Sequence, residues 1–129
     1  MLISEVSEKI GLSQDTLRYY ERIGLIPPVK RSKSGIREYT ELDCRRIEFA
    51  KCMRRAGLPI EVLIEYVALY QQGEETANPR KKLLIEQRGQ LKERLKEMTD
   101  TLDRLDQKIA QYESISRDKQ VETTAGQMA

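Results

Sequence analysis

The sequence predicts a mainly α fold: a helix-turn-helix with a small β-hairpin wing behind it, followed by one long C-terminal helix. Three observations predict this. Residues 13–39, SQDTLRYYERIGLIPPVKRSKSGIREY, run from a capped amphipathic helix directly into a basic segment turned by a glycine. A shorter helical pattern stands just upstream, and a seven-residue apolar repeat fills the last third of the chain.

Taken in order, Ser4 can cap a first helix in which Val6 and Ile10 recur at i and i+4, and Gly11 supplies the tight turn that follows. Ser13 caps the second helix. There Leu17 and Tyr20 share one side of the turn, and Asp15, Thr16, Arg18, Tyr19 and Arg22 lie on or near the other. Two helices around a tight turn form the helix-turn-helix pattern. After Gly24, Pro27-Pro28 forbids helix, and VKRSKSGIREY offers two short strands around Ser-Lys-Ser-Gly, where Gly35 takes a positive φ without steric cost. Residues 41–56, with Leu42, Cys44, Ile47, Phe49, Ala50 and Met53 among charged residues, form a third helix stopped by Gly57 and Pro59. Pro59 opens a fourth, PIEVLIEYVALYQQG, whose apolar side is Val62, Leu63, Tyr66, Val67 and Tyr70.

GEETAN, residues 73–78, reads as a polar hinge between a head spanning residues 1–72 and a final helix over 79–116. In that helix Leu84, Leu91, Met98, Leu105 and Tyr112 mark one heptad position, and Leu95, Leu102 and Ile109 the other. Lys81 and Arg88 weaken the seam at its start. From residue 79 to 112 the helix would run roughly 50 Å, too long to bury its stripe on a 70-residue head, so it requires a partner helix. The heptads alone do not fix the partner's direction. Gly89 costs this helix about 1 kcal/mol against alanine. Residues 117–129 have lost the repeat and read as a disordered tail.

Composition narrows the function. With 129 residues, 34% charged, one Phe and no Trp, the chain supports one modest core. No apolar run approaches membrane-spanning length and the start lacks a secretion signal, so a soluble cytoplasmic protein with free thiols is expected. The whole chain carries only +2, yet residues 18–55 hold eleven Lys and Arg against five Asp and Glu. Singly, Arg18, Arg22 or Arg37 would be an ordinary solvated charge. Clustered on a helix and the hairpin behind it, they suit duplex DNA. A helix fits the major groove, where Arg reaches guanine edges and Tyr or Thr donates to phosphate, and a thin basic hairpin tracks the adjacent backbone or minor groove. An enzyme is not expected: there is no histidine, no nucleophile with an evident base and no phosphate-cradling glycine loop. The rival from another class is an architectural or excisionase-like DNA-binding protein, which has no need of the long heptad helix.

TLRYYERIGLIPP followed by SGIREYT resembles the signature of the MerR family of bacterial transcriptional regulators, over about residues 1–70. The resemblance implies a homodimer joined by an antiparallel coiled coil. The dimer would grip a palindromic operator in a promoter with an overlong spacer and distort the DNA so that RNA polymerase engages it. Carried onto this chain, the major-groove contacts fall on Thr16, Arg18 and Tyr19, with Arg22 beside them. The wing contacts fall on Arg37 and Tyr39, with Arg31 and Lys33 near the backbone. The dimer interface falls on Leu91, Leu95, Met98, Leu102, Leu105, Ile109 and Tyr112.

The signal is less legible. No cysteine follows residue 52, so a thiolate metal site is not expected and no cofactor is implied. With the coiled coil read as the last element, the large effector domain of drug-binding relatives is not expected. Cys44 reads as a small buried hydrophobe. Cys52 is flanked by Lys51, Arg54 and Arg55, cations that favour a reactive thiolate, although an inert half-buried cysteine is the plainer reading. FAKCMRRAGL resembles the same segment of the short thiol-sensing subgroup of the family, the NmlR and AdhR type, which implies a sensor for aldehydes or nitrosative stress at Cys52. A regulator with a non-thiol signal is the alternative.

Overall fold

A computed structural model describes residues 1–118. Five helices follow in order: α1 (Ile3–Ile10), α2 (Gln14–Ile23), α3 (Glu41–Arg55), α4 (Ile60–Gln72) and, after a 3-10 turn (Glu74–Thr76), α5 (Ala77–Asp118). The chain divides into two units, Met1–Gln87 and the remainder.

In the first unit α1 begins two residues earlier than the Ser4 cap predicts. Leu2 is the N-cap, and its amide donates to the Glu5 carboxylate at 2.7 Å. Gly11 then turns the chain at φ 79°, and the Ser7 hydroxyl donates to the Leu12 carbonyl at 2.6 Å across the turn. Ser13 caps α2 as expected, its Oγ accepting from the Thr16 amide at 3.1 Å. Thr40 and Asp43 close a reciprocal capping box at the start of α3.

These starts aim one side of each helix inward. Val6 and Ile10, Leu17 and Tyr20, then Cys44, Ile47 and Ala50 meet with Leu25, Ile26, Val29, Leu58 and Leu63 in a single buried cluster. Val6, Leu17 and Ile47 are wholly excluded from solvent. Truncating Leu17 to alanine would remove about 2–5 kcal/mol, enough to unfold a core this small. The third-helix pattern holds only in part: Leu42 and Phe49 are exposed, and Phe49 packs at the surface against Tyr66.

No strand forms among the described residues. The expected hairpin strands reduce to one antiparallel bridge, Arg31 with Arg37, closed by Ser32 donating to Ile36 and Glu38 to Lys30, with Gly35 at φ 84° in the turn. Tyr39 behind it exchanges backbone hydrogen bonds with Met1.

The polar segment after α4 is ordered as a corner. Thr76 is buried, its hydroxyl lying 2.6 Å from the Leu69 carbonyl and 2.7 Å from that of Gly73, while Arg80 Nε donates to it at 3.1 Å. Helix α5 starts at Ala77, two residues before the expected Pro79, and runs 42 residues. The heptad residues from Leu91 to Tyr112 are all exposed, Met98 to 71%. A Cβ built at Gly89 meets nothing within 4 Å. Of the expected tail, Arg117 and Asp118 continue α5, and the rest lies outside the described residues.

Candidate nucleic-acid interface

Burial of Leu17 and Tyr20 turns the other side of α2 outward. Thr16 Oγ1 accepts from Ser13 Oγ at 2.9 Å, which leaves its own proton free for an incoming acceptor. Arg18 extends along the helix toward Asp15 (3.1 Å) and Gln14 (3.4 Å). Both partners of the Arg18–Asp15 pair are exposed, so the pair holds the guanidinium in place at a cost of about 0–1 kcal/mol to release. Tyr19 is exposed, and the Arg22 guanidinium lies 5.3 Å over its ring. Four of the predicted contact residues thus share one accessible helix face.

In the 31–37 turn, Lys33 is exposed without a partner among the described residues, and Arg31 donates to the Gly35 carbonyl at 3.1 Å. Arg37 is placed differently. Its Nε donates at 2.8 Å to Oε1 of Glu21 on α2, in a pair with side chains only 20% and 13% exposed, and Oε2 of the same carboxylate accepts from the Val29 amide at 3.1 Å. One carboxylate therefore ties the outer helix to both ends of the segment that carries the turn. Arg37 is first a clamp, with its terminal nitrogens left over.

Tyr39 does not belong to the surface. It is 3% exposed in the core, and its hydroxyl has no hydrogen-bond partner among the described residues. Burial pushes the phenol above its ordinary value of 10.0, against a lowering by Arg37. The prediction that Tyr39 is a wing contact is corrected on this ground. Glu21 was not predicted. Its only sequence signal is a carboxylate between Tyr20 and Arg22 in an otherwise cationic stretch, and what it does depends on residues 8 and 16 positions away.

The two cysteines separate clearly. Cys44 is buried at 2% exposure, and desolvation raises its thiol above 9.0, ahead of a lowering by Lys9. Cys52 is exposed, in a shallow recess with Lys9, Ile10, Glu48, Lys51 and Arg55. Two of its expected cations are engaged elsewhere: Lys51 donates to the Ile10 carbonyl and Arg54 to that of Leu58. Cys52 sits in the last turn of α3. No group of three or more His, Cys, Asp or Glu converges among the described residues, and none of their helices is long and apolar enough to cross a membrane.

A capped outer helix presenting Thr16, Arg18 and Tyr19, tethered to a basic turn, has the build of a helix-turn-helix that meets duplex DNA. Residues 1–69 match the family described as MerR HTH family regulatory protein, and residues 44–115 match MerR, DNA binding. The HTH-type transcriptional regulator AdhR of Bacillus subtilis is 56% identical over 91 residues, 70% of this chain. The match spans 65% of AdhR, just under two thirds of its length. A crystal structure ascribed to the MerR family from Listeria monocytogenes superposes with a TM-score of 0.90 at 52% identity, covering 93% of this chain and 91% of that one. HiNmlR, described as a MerR family regulator lacking the sensor domain and crystallised bound to promoter DNA, gives 0.80 at 28% identity, with 95% and 94% covered. The chain belongs to the MerR family.

Proposed function

We propose that this chain is a DNA-binding transcriptional regulator, not an enzyme, that binds a palindromic promoter operator as a homodimer in the cytoplasm, with α2 in the major groove and the 31–37 turn along the neighbouring backbone. Thr16, Arg18, Tyr19 and Arg22 read or position the groove, and Arg31 and Lys33 follow phosphates. The observation that carries this is the Glu21 clamp, which holds the outer face of α2 and the basic turn as one piece. The likeness to a relative crystallised on promoter DNA supports it. Two α5 helices pair antiparallel through the seam from Leu91 to Tyr112, and the gripped promoter is distorted so that RNA polymerase engages it. In the test, Arg18→Ala costs operator binding about 1–3 kcal/mol and relaxes sequence preference, whereas Lys33→Ala weakens all duplexes alike and lowers the salt slope by about one. Titrations at several salt concentrations, on operator and scrambled DNA, read both. Equal losses with unchanged preference would remove α2 from the groove. A footprint on tandem or scattered sites instead of one palindrome would favour the architectural reading.

For the signal, we infer that Cys52 is the thiol that meets electrophiles such as aldehydes or nitrosating agents. Its exposure, against the burial of Cys44, favours it. Cys52→Ser is expected to bind the operator normally and fail to induce a reporter with aldehyde. Full induction in that strain would leave a signal of another chemistry.

A further inference from the structure

An apolar recess of about 200 Å3, open to solvent along the exposed Phe49 and Tyr70, lies between the segment leaving α2, α3 and α4. Buried Leu25, Ala50 and Leu63 line it. The rings of Phe49 and Tyr66, tilted by 32° with centroids 6.1 Å apart, line it as well. An apolar cavity of about 150 Å3 admits benzene, whereas drug-sized ligands occupy about 300 Å3 or more, so this space suits one substituted ring. Arg45 and Arg46 border it. Arg46 lies 4.7 Å over the Tyr70 ring and donates to its hydroxyl, and neither arginine has a carboxylate partner among the described residues. Apolar walls beside unneutralised guanidinium groups complement an aromatic acid, whose ring enters while its carboxylate meets the arginines.

We propose that this cavity binds a compact aromatic carboxylate and that its occupancy alters DNA binding. The route is short: Leu25 lines the cavity, and its amide donates at 2.8 Å to the Tyr20 carbonyl in the last turn of α2. A ligand pressing on Leu25 therefore acts on the groove-facing helix. The effector half of the proposal rests on the reading of α2 as that helix.

Benzoate, benzyl alcohol and benzylamine are the probes, titrated into the full chain and followed by NMR and calorimetry. Benzoate is expected to bind with a Kd of about 1 mM or tighter and to shift Phe49, Tyr66 and Tyr70 resonances, with benzylamine about tenfold weaker or worse. Arg46→Gln is expected to weaken benzoate about tenfold and leave benzyl alcohol unchanged, a difference that a merely structural role would not produce. Saturating benzoate is expected to change operator Kd by about threefold or more. No shift at high benzoate, or equal binding of benzylamine, overturns the site. So does a loss of operator affinity in ligand-free Arg46→Gln, which would make Arg46 a phosphate contact. Conversion of a dimer to monomers by Phe49→Glu would show a second copy filling the cavity, and also overturns it. Benzoate binding with unchanged operator Kd overturns the effector half. Operator binding by ligand-free wild type is measured first, so a failure of the DNA reading is seen separately from a failure of the cavity.

Discussion

Replacing Glu21 by glutamine isolates the clamp between α2 and the basic turn. In the native carboxylate each oxygen accepts one N–H, Arg37 Nε at 2.8 Å and Val29 N at 3.1 Å. Glutamine has one acceptor oxygen and one NH2, so whichever way it flips, one donor faces another donor. The change removes one charge-assisted bond, about 1.5–3 kcal/mol, and leaves a guanidinium mostly out of solvent without its anion. Breaking a fully buried pair costs about 3–5 kcal/mol, and the one-fifth exposure of Arg37 admits water and lowers that, so about 2–3 kcal/mol is expected. In urea unfolding of the full chain this appears as a midpoint lower by about 1 M or more at unchanged slope. Glu38→Gln, on an exposed carboxylate of the same turn, is the control and is expected to stay within about 0.5 kcal/mol. Operator binding should weaken while binding to unrelated duplex holds or rises, because phosphate attraction survives the loss of a negative charge but registration does not. A stability loss below about 0.5 kcal/mol with an unchanged ratio of operator to unrelated binding would refute the clamp.

Replacing Leu102 and Leu105 together by lysine places charges in the exposed seam of α5 and should give monomers in sedimentation that keep the folded head but lose tight operator binding; a persistent dimer would place the interface elsewhere. Cys44 and Tyr39 both have folded-state pKa values raised by burial, so their protonated forms stabilise the fold fully below the ordinary values of 9.0 and 10.0, and that contribution is lost as pH rises through the raised folded values. Unfolding midpoints should therefore fall on the alkaline side, with Cys44→Ala removing the earlier part of the decline; a flat profile to strong alkali would contradict it. A thiol-specific chromogenic reagent should modify one cysteine quickly in the native protein and the second only on unfolding, with Cys52→Ser abolishing the fast phase. Two fast thiols would contradict the burial of Cys44.

What was legible in the sequence is what neighbouring residues decide. Ser13 with Thr16, and Leu17 with Tyr20, lie within one or two turns of each other, so cap and buried face follow from spacing alone. The same holds for Cys44, Ile47 and Ala50 in α3. Apart from the start of α1, the misses depend on distant partners. Ser4 is a good cap residue, but Glu5 reaching back to the Leu2 amide starts α1 earlier. Tyr39 sits beside Arg37 in a cationic stretch, yet Met1 pins its backbone and the core takes its ring. Two strands could be drawn from residues 29–39 because alternation and turn chemistry permit them; with no third strand to pair against, a single bridge remains. The outer face of α2 was readable by subtraction, whereas the Glu21 clamp was not, because it joins three chain segments that no local pattern connects.

Thr76 gives the end of α4 an unusual stiffness. The stretch around it, GEET, has the composition of slack chain, but one hydroxyl engages the carbonyls of Leu69 and Gly73 and the Arg80 guanidinium in the first turn of α5. The ring of Tyr70, one residue after Leu69, has the guanidinium groups of Arg46 and Arg80 at 4.7 and 5.3 Å from its centroid. Bending this corner means giving up the one hydrogen bond that the hydroxyl proton shares between the two carbonyls, about 0.5–1.5 kcal/mol, and the bond from the Arg80 guanidinium, up to about 3 kcal/mol, together more than thermal agitation supplies. Torque applied to the opening turns of α5 is then delivered to α4 with little backlash. A Thr76→Ala variant would behave like a gear with a missing tooth: both helices intact, the motion of one no longer counted by the other.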